Sequence, residues 1–155
     1  MIKSLNLFLA LAFVPLIFIG CSNGTPSTPS TRQVVEALGL DAVETIKNSQ
    51  DVTFSKAAPD SNNNFKIVGE PRALSHLDYA ALKQILLDDR SYIFDKTKAC
   101  LFIPEAVITF NASAPVKVLI SPSCKQLKFL YEGESVILDC DPIMENLKTM
   151  FPEII

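Results

Sequence analysis

The chain has 155 residues, 14 Lys and Arg against 17 Asp and Glu, and a net charge of −3. Scattered cations in a mildly acidic chain argue against nucleic-acid binding, because neutralising phosphates requires clustered Lys and Arg. One histidine and five glycines exclude a Gly-rich phosphate loop and leave any His-dependent chemistry to His76 alone.

The chain opens MIKSLNLFLALAFVPLIFIG, with Lys3 ahead of an apolar run from Leu7 to Gly20 that only Pro15 interrupts. A membrane-crossing helix needs about 20 apolar residues; this shorter, proline-broken run has the form of an export signal over residues 1–20. Its end, Phe18-Ile19-Gly20-Cys21, resembles the lipobox of bacterial lipoproteins, with Phe18 where that family most often has leucine. The resemblance implies cleavage before Cys21, a diacylglyceryl group on its sulfur, palmitate-type acylation of the new amino terminus, and membrane attachment through that residue. Ser22 in the next position implies sorting to the outer membrane of the cell envelope. Residues 22–33 read SNGTPSTPSTRQ, which have nothing to bury and whose prolines keep the chain extended. Lipidated Cys21 and tether thus occupy 21–33, and a single domain occupies 34–155. The signal carries one of the 14 basic residues and none of the 17 acidic ones, so the mature charge is −4.

From Val34 to Asn48, Val35, Leu38, Ala42 and Ile46 fall near one helical face, with Gly39 weakening the middle. VTFSKA (52–57) alternates as a strand, and FKIVGEP (65–71) is a second strand ending at Gly69 and Pro71. Ser75-His76-Leu77-Asp78 has the form of a capping box at the start of a helix that runs to about Asp88 or Asp89. LFIPEAVITF and VKVLIS flank a short NASAP connection, and QLKFLY and SVILDC flank Glu132-Gly133-Glu134, which predicts two hairpins. Asp141 and Pro142 fit the cap and first position of a last helix with Ile143, Leu147, Met150 and Phe151 on its apolar face. Consecutive hairpins predict an α+β fold with an antiparallel sheet of about four to six strands and two or three helices on one face.

Pairing Phe110 with Val116 sets Cys100 nearly opposite Cys124, and a turn at Glu132-Gly133 sets Cys140 beside Cys124 or Lys125. All three sulfurs then lie at one end of the sheet. In an exported chain this predicts a disulfide, with Cys100–Cys124 the preferred pair and Cys140 a buried third thiol. A three-thiolate metal site lacks the CxxC pairs that mark such centres, and no Cys-x-x-Cys is present for redox work. CLFIPEAVITF and VKVLISPSC resemble a group of uncharacterised bacterial secreted proteins, in which a Cys-x-x-x-Pro strand precedes a strand ending in two nearby cysteines. Ser121 stands where the first of those paired cysteines falls, and the group implies no defined activity.

No catalytic, cofactor-binding or metal-ligating residue emerges. His76 reads as a solvated first-turn residue, since Asp78, two positions on, does not face it on a helix. Asp88-Asp89 reads as a frayed helix end, and Asp139 and Asp141 as a strand end and a helix cap. No Gly-x-Ser-x-Gly elbow is present. These features favour a lipid-anchored envelope protein whose domain is a non-catalytic binding or structural module with a protein or glycan partner. The alternatives are a small envelope hydrolase or enzyme-accessory domain, and a thiol or metal sensor.

Overall fold

Six extended segments, five of them with buried side chains, pair into one antiparallel sheet. In the computed structural model, which describes residues 30–60, 65–96 and 98–154, these are β1 (Asp51–Pro59), β2 (Phe65–Ala73), β3 (Ala106–Asn111), β4 (Val116–Ser121), β5 (Gln126–Tyr131) and β6 (Glu134–Asp139). Their order is β2-β1-β3-β4-β5-β6, so the last four form a meander. Four helices complete an α+β fold: α1 (Arg32–Leu38), α2 (Leu40–Asn48), α3 (His76–Leu86) and α4 (Met144–Met150). Among the described residues no helix is long and apolar enough to cross a membrane. The expected export signal, the expected lipidation site Cys21 and most of the expected tether lie outside the described residues.

The two hairpins take the registers that the sequence implies. Phe110 pairs with Val116, and Tyr131 with Glu134. In the second, Glu132 and Gly133 both have positive φ, 47° and 86°, as a two-residue hairpin turn that follows the sheet twist requires. One face of the sheet presents Phe54, Ile108, Phe110, Val118, Ile120, Leu127 and Phe129. These form a single buried core with Val34 and Leu38 of α1, Ile46 of α2, Leu82 and Leu86 of α3, and Met144 and Leu147 of α4. All four helices therefore cover the same face. Phe151, just past α4, stacks on Phe54 of β1 with ring centroids 4.7 Å apart.

Four local expectations change. The single helix over 34–48 is two, because Gly39 takes φ 79° and ψ 158° and resets the helical phase. Val34 becomes a core residue and Val35 only packs against it. The second strand does not stop at Gly69 but continues to Ala73, with an irregular register opposite Phe54 and Lys56. As β2 is an edge strand, Pro71 is tolerated in it. Residues 101–105 are not part of β3 but form an irregular approach to it. Pro104 there lacks a ladder donor. Lastly, Ile143 rather than Asp141 stands at the cap position of α4, and Asp141 belongs to a 3-10 turn (Asp141–Ile143) ahead of it. Its carboxylate instead meets Lys98 at 2.5 Å and Lys125 at 3.8 Å.

Candidate functional site

The described cysteines divide into one disulfide and one free thiol. Cys100 and Cys124 form a disulfide with Cα atoms 5.9 Å apart. Cys140 remains a free thiol inside the main core, its N–H donating to the Lys125 carbonyl at 2.9 Å. Burial pushes this thiol up to about 12; Lys98 opposes the shift, and Asp141 and Asp139 add to it. At neutral pH it is therefore protonated and a poor nucleophile. Among the described residues, no group of three or more His, Cys, Asp or Glu is arranged to hold a metal ion.

The remaining polar candidates are engaged in holding the fold. His76 is exposed in the first turn of α3, and its ring meets the edge of Tyr79 at 5.0 Å. Ser75 caps that helix as its sequence suggests: its Oγ accepts the Asp78 N–H and donates to the Asp78 carboxylate at 2.7 Å. Asp88 pairs with Arg90 at 2.6 Å, and the Arg90 hydrogen bonds hold its carboxyl below the usual range. Asp89 is not part of a frayed end. Burial alone raises its carboxyl. Hydrogen bonds from Ser30 and from the backbone N–H groups of Val34, Gln33 and Arg32 outweigh that and hold it low. Asp139, buried, accepts from Gln126 Nε2 at 2.7 Å. An open, acid-lined groove of about 700 Å³ runs between α2 and the start of β1, but neither His76 nor a cysteine lines it.

The feature that sequence reading missed lies on the opposite face of the sheet. There Ala57, Val107 and Leu119 form a second buried cluster, flanked by the half-buried Phe65, Phe102 and Leu130. No helical residue joins it. Beside it a cleft of about 470 Å³ is walled by residues 101–104 and floored by Leu119 and Leu130. The wall is apolar and solvent-facing: Leu101 is 79% exposed and Ile103 39%. It is also held in place. The disulfide fixes it at Cys100, the Ile103 N–H donates to Ser121 Oγ at 3.2 Å, and the Glu105 N–H donates to the Ile120 carbonyl at 2.9 Å. The available signal was the run Leu101-Phe102-Ile103-Pro104, which reads as a buried strand until register places it outside the ladder.

The chain matches no protein-family model, and no curated protein or solved structure is significantly similar to it. The class that the fold and site define is an α+β domain with one helix-covered sheet face and one open, partly apolar face.

Proposed function

We propose that this chain is a lipid-anchored envelope lipoprotein, held to the outer membrane through Cys21, whose domain is a non-catalytic binding module for an envelope partner. The observation that carries the anchor is the apolar run that stops at Gly20-Cys21 and gives way to a Ser/Thr/Pro tether. The module reading draws support from two features of the domain. Ser75, Asp78, Asp88, Asp139 and Asp141 are engaged in cap, hydrogen-bond and ion-pair contacts, and its sole histidine stands exposed against Tyr79. Its open sheet face presents apolar side chains on a fixed backbone, as an interaction surface does. The protonated state of Cys140 weighs against the thiol-sensor alternative.

Metabolic labelling with palmitate, followed by peptide mass spectrometry of the membrane-extracted protein, tests the anchor. The expected result is a diacylglyceryl Cys21 and complete loss of label in Cys21→Ala. Label retained in that variant, or an unmodified Cys21 in the unaltered chain, overturns it.

A further inference from the structure

We infer that the cleft on the helix-free sheet face is a binding site for one fatty-acid-like molecule, a straight acyl chain ending in an anion. This deepens the binding-module reading and rests on it. Its volume, about 470 Å³, falls in the range of roughly 300–1,000 Å³ typical of small-ligand sites. The walls are apolar, and their chemistry is aliphatic as much as aromatic: Leu101, Ile103, Leu119 and Leu130 stand with Phe65 and Phe102.

Among the described residues two charged groups line this cleft. Lys128 of β5 is the only cation, and it forms no ion pair among the described residues. Its register neighbours are Leu119 and Ile137, so its stem lies along apolar side chains and only its ammonium seeks a polar partner. The only anion, Asp60, follows Pro59 at the end of β1. β1 and β5 are three strand spacings apart in the sheet, which is on the order of 14 Å. That backbone separation suits an extended chain lying across the strands. A sugar needs many hydrogen-bonding side chains, and among the described lining residues only Asp60 and Lys128 carry one. A peptide strand adds to a sheet edge, whereas this cleft lies on a face. A largely apolar cleft whose cation forms no ion pair among the described residues suits an anionic amphiphile.

The test uses the full chain in isolated membranes and a photoactivatable palmitate analogue, with adducts mapped by peptide mass spectrometry. Adducts are expected on the peptides that hold residues 101–104 and Leu119. Unlabelled palmitate should compete with them and hexadecanol, which lacks the anion, should not; this arm needs no variant. Lys128→Glu should lower the yield about tenfold, the factor for losing one charge-assisted contact. Lys128→Arg should retain it, and Lys117→Glu on the same face should leave it unchanged. Equal labelling of Lys128→Glu, competition by hexadecanol, or adducts scattered onto the exposed Leu40 and Leu77 would overturn the site, the last as mere partition from the bilayer. A photo-crosslinker at position 103 that captures a protein uncompeted by palmitate also overturns it, yet leaves the binding-module reading standing.

Discussion

The carboxylate of Asp89 accepts the backbone N–H of Val34 at 2.9 Å, joining residues 55 positions apart. Thr31, the residue at the cap position of α1, makes no side-chain cap bond. The cap of the first helix is thus supplied by the turn that follows the third. It ties the start of α1 to the end of α3, and the Asp89 N–H donates in turn to the Ser30 carbonyl at 2.7 Å. Asp89→Ala should destabilise the domain by about 1–2 kcal/mol, the usual cost of losing a helix cap, measured as a lower urea midpoint at unchanged slope. An unaltered midpoint would show that α1 needs no cap from this residue.

The same contact sets a pH dependence. Burial raises the Asp89 carboxyl, but its hydrogen bonds prevail and bring it below the ordinary value of 3.8. A carboxyl depressed by folding contributes its stability fully above the unfolded value and loses it as the pH falls through the folded one. Acid titration of unfolding should therefore show less loss of stability below pH 3.8 in Asp89→Asn than in the unaltered chain. Parallel curves for the two proteins would contradict the assignment.

Cys100 and Cys124 close a loop with a sequence separation of 24. Replacing both by serine should cost about 3 kcal/mol, as expected for a loop of this size. The loss should also free residues 101–104, so amide exchange there should rise more than in β4 or β5. Uniform exchange across these segments would mean that hydrogen bonds alone hold the wall of the cleft.

Cys140 should resist alkylation in the folded domain. Its thiol is buried and pushed up to about 12, so little thiolate exists at neutral pH. Iodoacetamide at pH 8 should modify it only after denaturation. Rapid labelling of the native protein would place it in a more accessible, more acidic setting.

Phe54 and Phe151 are both buried and stacked almost parallel, at 4° between ring planes. Phe151→Ala should cost about 3 kcal/mol through the cavity it leaves. A double-mutant cycle with Phe54→Ala should show about 1 kcal/mol of coupling between the rings. Additive losses would make the contact simple area burial.

The hairpins were legible because their signals are local. Alternation fixes which side chains share a face, and Glu132-Gly133 fixes where the chain turns, so the Cys100–Cys124 neighbourhood followed from counting along two strands. The Ser75 cap was equally local, made within one helical turn. The lipobox resemblance at Cys21 is a local pattern too, read from the sequence alone.

What only the tertiary structure decided is which partners distant residues meet. Asp89 reads as a frayed end until α1 packs beside it, and Asp141 reads as a cap until Lys98 reaches it. The open face was hidden for the same reason. A strand pattern tells which side chains point together, but it does not tell whether a helix covers them. That choice depends on how four amphipathic helices, each with one apolar stripe, share the available sheet. All four pack on the Phe54–Phe129 side, because one continuous core removes more apolar surface from water than two thin ones. Leu101, Ile103 and Lys128 are left facing outward by that collective choice, and no segment of sequence carries it alone.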